Sequence, residues 1–187
     1  IPKMDSQYGK GFERPVYFID GKPQQRGKYL NNTKGTSSTA AKFASSFGLG
    51  YMVFKKFDSD FSEELLSNST SALDYGNKRK GVTQTVSVKS PYIYAEDNWV
   101  DDMELGYIIT QNVFKTLIST LPEDLRNVSI AGWDQLGVLD SAYSYAKQEP
   151  ITLWLGADTA NHYQWYPFIN LGHYELAKQL KDKRRDT

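Results

Sequence analysis

The chain has 187 residues, 40% hydrophobic and 24% charged, the profile of an ordinary globular protein with enough apolar content to bury one sizeable core. Its 22 basic and 22 acidic residues cancel, so no global field draws it to nucleic acid or an anionic membrane, and no run of about 18 apolar residues exists to span one. The absence of cysteine excludes disulfides, zinc-thiolate sites and thiol nucleophiles, and two histidines, His162 and His173, leave little for histidine-rich metal chemistry.

Aromatic residues are abundant at 14%, with 13 Tyr and 4 Trp, which suits either thick helix packing or ligands with flat apolar faces such as sugar rings. The chain opens "IPKMDSQYGKGFERP", with neither an initiator Met nor a signal-peptide pattern, and reads as processed or excerpted from something longer. Residues 1–35, rich in Gly, Pro, Lys and Gln and without sustained periodicity, are expected to be extended or looped.

From residue 36 onward helical hairpins are expected. In "TSSTAAKFASSFGLGYMVFKKF" the positions Ala40, Phe43, Ala44, Phe47, Tyr51 and Phe54 recur at helical spacing, and the Ser/Thr cluster before them is placed to cap the first turn. Gly48 and Gly50 lower helix propensity and so mark a close approach of a neighbouring helix. A second helix, "DFSEELLSNSTSALDYGNKRKG", has Asp60 and Glu63 at capping-box spacing and Phe61, Leu65, Leu66, Ala72 and Leu73 as its stripe; Lys78, Arg79 and Lys80 suit the negative end of its dipole, and Gly81 stops it.

A third helix begins at Asp101 or Asp102 and presents Leu105, Ile108, Ile109, Val113 and Leu117 before "LPED" breaks it. The fourth runs from near Trp133 to Lys147 with Leu136, Leu139, Ala142, Tyr143 and Ala146, and the fifth starts near Asn170 with His173, Leu176, Ala177 and Leu180. Short turns alternate with long aromatic loops, as in helical hairpins stacked around an axis, and long loops in compact domains are usually functional. No strict repeat marks a solenoid.

The stretch "AEDNWVDDMELG" concentrates Glu96, Asp97, Asp101, Asp102 and Glu104 around one Trp. Acids in a first helical turn accept free amides and face the positive dipole end, but a cap needs only one or two of them. The surplus repels itself unless solvated, protonated or joined by a hard cation such as calcium, which takes oxygen ligands from loops that turn into helices. An EF-hand is excluded, because Trp99 and Asp102 stand where that loop needs a ligand and a glycine. General acid and base carboxylates must face a substrate from opposite sides, about 6.5 to 9.5 Å apart for inversion, whereas the neighbours Asp101 and Asp102 diverge on a helix.

Neither GxSxG, a Walker loop, HExxH nor GxGxxG occurs, and His173, on a helix stripe, reads as a satisfied core histidine. Sequons at Asn31, Asn68 and Asn127 matter only in a secreted, glycosylated protein.

Read in order, "ERPVYFIDGKPQ", "STAAKFASSF", "DYGNKRKG", "PYIYAEDNWVDDMELG", "AGWDQLGV" and "YPFINLGHYELAK" resemble the middle of a glycoside hydrolase family nine catalytic domain, over nearly the whole chain. The resemblance implies an all-α fold, the (α/α)6 six-hairpin barrel with a cleft across its loop face. Residues 1–187 would be the central portion of one catalytic domain, an incomplete barrel of about half the hairpins. It implies hydrolysis of β-1,4-glucans or related β-glucosides with inversion, by an Asp base in an Asp-Ala-Gly-Asp motif and a late Glu acid, neither of which occurs in this sequence.

The resemblance also implies a structural calcium held by Asp97, Asp101, Asp102 and Asp134, with a carbonyl from Asn98, although the family's common pattern has Ser-Gly at residues 97 and 98 and Glu at 102. Tyr92, Tyr94, Trp99, Trp154, Tyr163 and Trp165 would line glucose subsites, while Trp133 packs. The expected partners are a β-glucan or oligosaccharide and the remaining segments of the same catalytic domain, in a secreted or periplasmic protein. A non-catalytic carbohydrate-binding or helical scaffold protein is the alternative.

Overall fold

A computed structural model describes residues 18–19, 22–23, 34–83, 98–126, 137–149 and 166–185, with side chains of the last helix described over 171–181. Two short strands, β1 (Phe18–Ile19) and β2 (Lys22–Pro23), pair antiparallel with Phe18 opposite Pro23, in the stretch expected to be extended. The helices that build the described core are α1 (Ser37–Phe54), α2 (Ser59–Lys78), α3 (Val100–Ser119), α4 (Val138–Ala146) and α5 (Tyr166–Arg185). Helices α1, α3 and α5 are successive neighbours in one layer; α2 packs on α1 and α3, and α4 on α3 and α5. Alternation between two layers is the arrangement of an arc of stacked hairpins, so the all-α expectation holds.

Small residues set how closely the first hairpin packs. The inward face of α1 is Ser37, Ser38, Ala40, Ala41, Ala44, Ser45, Gly48 and Tyr51, whereas Phe43 and Phe54, expected in the core, are exposed. A Cβ on Gly48 would lie 2.9 Å from Ile109 Cγ2 and 3.2 Å from Ser69 Oγ, so there is no room for a phenyl ring on that side. Ser69 Oγ crosses the same gap to donate to the Ala44 carbonyl at 2.7 Å.

The Ser/Thr cluster does not cap α1; Thr36 makes no side-chain cap. Ser37 Oγ instead binds the end of α2, donating to the carbonyls of Gly76 (2.8 Å) and Arg79 (3.2 Å) and accepting from Gly81 N (3.2 Å). Ser38 Oγ accepts from Thr83 N at 3.0 Å. Buried hydroxyls satisfy whichever backbone groups a neighbouring turn leaves open, and here those belong to another helix.

Helix α2 is capped by Asp58, whose extended backbone places its carboxylate to accept from Phe61 N at 3.0 Å; Asp60 is already inside the helix, so the expected Asp60–Glu63 box does not form. Its buried face is Ser62, Leu65, Ser69, Leu73 and Gly76, with Leu66 and Ala72 half-buried. Phe61 stays out and meets Phe54 edge to face, with centroids 5.1 Å apart. The basic end behaves as read: Arg79 lies 4.1 Å over the Tyr75 ring, and Gly81, at φ +136°, turns the chain.

Helix α3 starts at Val100, just before the expected aspartates, and buries Leu105, Ile108, Ile109 and Val113 as read, with Met103, Phe114 and Ile118 on its other sides. Leu117 is half-buried. Helix α4 starts at Val138 rather than near Trp133, because Gly137 at φ +62° sets a break before it, and it turns Tyr145 inward beside Leu139 and Ala142 while Tyr143 is exposed. Helix α5 starts at Tyr166, earlier than Asn170, since Pro167 in a first turn costs no hydrogen bond.

Of the expected α5 stripe, His173 and Leu176 face inward, joined by Gly172 and Gln179, whereas Ala177 and Leu180 lie exposed. Polar groups on α3 account for this rotation. Gln179 Nε2 donates to Asn112 Oδ1 at 2.5 Å, Lys115 Nζ donates to Gln179 Oε1, and Asn112 Nδ2 donates to Glu175 Oε2 at 3.2 Å. Apolar periodicity does not register a polar ladder of this kind.

A Cβ on Gly35 would fall 2.4 Å from the Lys80 carbonyl oxygen, so backbone meets backbone where α1 begins and α2 ends. Gly35→Ala is therefore expected to cost about 3 kcal/mol in a urea unfolding curve, and Gly48→Ala, which meets a β-branched side chain, about 1 to 2 kcal/mol despite alanine's better helix propensity. Equal or higher stability in both variants would show that neither contact is tight.

Candidate functional site

The start of α3 gathers the charged and aromatic groups. Trp99 occupies the N-cap position without a side-chain cap; Asn98 supplies one instead, its Oδ1 accepting from Val100 N at 3.2 Å. The Asn98 amide also donates to both oxygens of Glu149, at 2.9 and 3.0 Å, tying this helix start to the segment after α4. The Trp99 ring is half-buried and meets Tyr145 edge-on, with centroids 5.8 Å apart, and Tyr145 stacks on Tyr107 at 5.6 Å. The Tyr145 hydroxyl and Asn77 Oδ1 are 3.1 Å apart, which fixes the column to α2.

The acids of the first turns are not solvated: Asp101 is 6%, Asp102 1% and Glu104 0% exposed. Each buried carboxylate then requires a counter-charge or a proton. Asp102 Oδ2 lies 2.7 Å from Lys42 Nζ of α1. Glu104 Oε1 lies 2.9 Å from His173 Nδ1 of α5, and Gly172 makes the approach possible, since a Cβ there would sit 3.2 Å from the Glu104 carboxyl carbon. Glu104 Oε2 and His173 Nε2 are buried and find no hydrogen-bond partner among the described residues.

The Glu104 carboxylate holds the His173 imidazole above the usual histidine range, against the opposing effect of burial; Glu149 and Asp101 reinforce the rise. Burial pushes Glu104 itself up, partly offset by His173. The pair therefore keeps a proton to higher pH than either group in water.

Of the expected site residues, Trp99, Asp101 and Asp102 stand together at this helix start. Tyr92, Tyr94, Trp154, Tyr163, Trp165, Asp97 and Asp134 lie outside the described residues. The residues that sequence reading did not place here are Lys42, Asn98 as a cap, Glu149, and the pairing of Glu104 with His173; the lone lysine in a face of Ala and Ser was the available signal for the first. Asp102 faces Lys42, and Asp101 adds to the negative potential that raises His173. No group of three or more His, Asp or Glu side chains converges as a metal cage among the described residues. At Asp102 itself the ammonium of Lys42 already stands where a cation would bind.

Residues 2–167 match the sequence model of Glycosyl hydrolase family 9. The chain belongs to this family. No curated protein and no solved structure matches it. Family 9 membership carries glycoside hydrolase function in general and the (α/α)6 helical fold, of which the α1–α3–α5 layer backed by α2 and α4 forms an arc. The concentration of acids at the start of α3 is thus, in this glycoside hydrolase, a set of interhelical ion pairs.

A histidine or carboxyl group with a raised folded-state pKa makes the folded protein take up more protons than the unfolded chain, so stability falls as pH rises. For His173 the contribution is complete below about 6.5 and is lost as pH climbs through its higher folded value; for Glu104 the decline begins above about 4.5. Unfolding free energy measured in urea is expected to be lower at pH 8.5 than at pH 5.5, and the difference to shrink in the E104Q/H173Q double variant. His173→Ala alone, which strands Glu104, is expected to cost about 3 kcal/mol or more. A pH profile identical in wild type and the double variant would exclude this pair as the source.

Proposed function

We propose that the chain forms part of the cleft wall of an inverting glycoside hydrolase acting on β-1,4-glucan or a related β-glucoside, with Trp99 as a sugar platform. Family 9 membership supports the reading at the level of glycoside hydrolysis, and the arrangement of Trp99 carries it to this site. Its ring stands at the entrance of α3, half-exposed, and is braced from behind by Tyr145 and Tyr107. A ring held in place from one side offers the other to the apolar C–H face of a pyranose at little entropic cost. Tyr92, Tyr94, Trp154, Tyr163 and Trp165 are proposed as further platforms on the basis of the family resemblance.

The reaction is a single displacement. A carboxylate base takes a proton from water, the water oxygen bonds to the anomeric carbon as the glycosidic C–O bond breaks, and a carboxylic acid protonates the leaving oxygen. Asp102 and Glu104 are not assigned to these roles, because each is buried against a cationic partner on another helix. The Asp base and Glu acid belong to family motifs that residues 1–187 do not contain. A polymeric glucan lies outside the cell, and a secreted or periplasmic location is proposed with it.

A catalytic domain that joins residues 1–187 to the segments carrying the Asp base and the Glu acid, given a soluble β-1,4-glucan and followed by proton NMR, is expected to release the α-anomer first. Trp99→Ala is expected to raise KM for cello-oligosaccharides about tenfold, equivalent to roughly 1.4 kcal/mol, with kcat changed little. Initial release of the β-anomer would overturn inversion, and binding without new reducing ends would favour a non-catalytic carbohydrate-binding protein.

A further inference from the structure

We propose that in this protein the Lys42 ammonium occupies the electrostatic role of a bound divalent cation at the start of α3, so that the acidic helix start is neutralised from α1 and is indifferent to calcium. The inference is independent of which glycan is cleaved. It turns on one contact: Lys42 Nζ to Asp102 Oδ2 at 2.7 Å, with the Asp102 side chain 1% and that of Lys42 32% exposed. This is the short, charge-assisted geometry of a strong N–H to carboxylate bond, with one partner withdrawn from water.

Position reinforces the contact. Lys42 lies between Ala41 and Ala44, the closely packed face of α1, and the carbonyl of Lys42 accepts from Ser45 Oγ at 3.1 Å. The α1 backbone is held on both sides, at its start by Ser37 on the end of α2 and further along by the approach of Gly48 to Ile109. The ammonium is thus presented to Asp102 by a helix with little freedom to withdraw. On the other side, Asp102 sits in the first turn of α3, where the helix dipole adds positive potential.

A calcium ion bonds carboxylate oxygens at about 2.3 to 2.6 Å and recruits about six to eight of them. Bound to Asp102, it would stand within a few ångströms of an ammonium already in contact with the same carboxylate, and like charges that close repel strongly away from bulk water. Metal and lysine are therefore alternatives at Asp102.

The test is a thermal melt and calcium titration calorimetry on the purified wild-type protein and on Lys42→Met, Lys42→Arg and Asp102→Asn. The wild type is expected to melt at the same temperature in millimolar calcium and in chelator, and to take up no calcium by calorimetry. Lys42→Met is expected to melt lower by about 5 °C or more and to recover part of that loss in calcium, while Lys42→Arg keeps both the wild-type melt and its indifference.

Stoichiometric calcium uptake by the wild type, with a rise in Tm that Asp102→Asn abolishes, would overturn the proposal. So would a Lys42→Met protein as stable as wild type, or one that calcium does not rescue. If Lys42→Met does not fold, the wild-type and Asp102→Asn titrations still decide between ammonium and metal.

Discussion

Helix α3 has almost no face left for water, and the rest of the structure is arranged around that condition. Apolar side chains meet it easily through Met103, Leu105, Ile108, Ile109 and Val113. Its first turns, however, carry Asp101, Asp102 and Glu104 into the interior, where an unpaired carboxylate costs several kcal/mol. The layer supplies cations from both flanks: Lys42 from α1 meets Asp102, and His173 from α5 meets Glu104. The ion pairs therefore do more than stabilise; they specify which helices lie beside α3 and in which rotation, because a slipped neighbour would leave a charge buried alone.

Close packing supplies the second condition. Side chains of four carbons or more reach across an interhelical gap only if the gap is narrow and fixed, and α1 makes it so with Ala, Ser and Gly facing α2 and α3. Phe43 and Phe54 are left exposed, while Phe47 packs half-buried against the core. On α5, Gly172 plays the corresponding part by letting the Glu104 carboxyl lie against the helix backbone. Small residues and buried charges are thus two halves of one arrangement, the former setting the distance that the latter require.

Around Trp99 the consequence is a firm support. Trp99 emerges at the helix start where the ion pairs converge, and the Tyr145–Tyr107 column stands behind it. In the proposed role of sugar platform, Trp99 would not have to be ordered on binding, because the rings packed behind it are held by burial. The acids beside it belong to that support.

Local chemistry made much of this legible. The amphipathic runs, the basic end of α2 with Gly81 after it, the central stripe of α3 and the close approach at Gly48 all follow from residues within one or two turns of each other, where periodicity and propensity act. Family membership was likewise written in the linear motifs, since they record residue order. Trp99, Asp101 and Asp102 were identified as a group because they are adjacent in the chain, and the remaining expected site residues fall outside the described parts.

What the linear chain could not determine was direction. Whether Phe43 or Ala44 turns inward, whether Ser37 caps its own helix or the end of α2, and whether α5 presents Ala177 or Gln179 depend on distances between elements far apart in sequence. The same holds for the acids: as a string, "DDMELG" is equally a capped helix start or a cation loop, because both need clustered carboxylates. Tertiary structure supplied partners for two of them by bringing Lys42, some sixty residues upstream, within 3 Å of Asp102, and His173, some seventy downstream, within 3 Å of Glu104. Burial is a property of the whole assembly, and only after it is established does a carboxylate have to find its counter-charge.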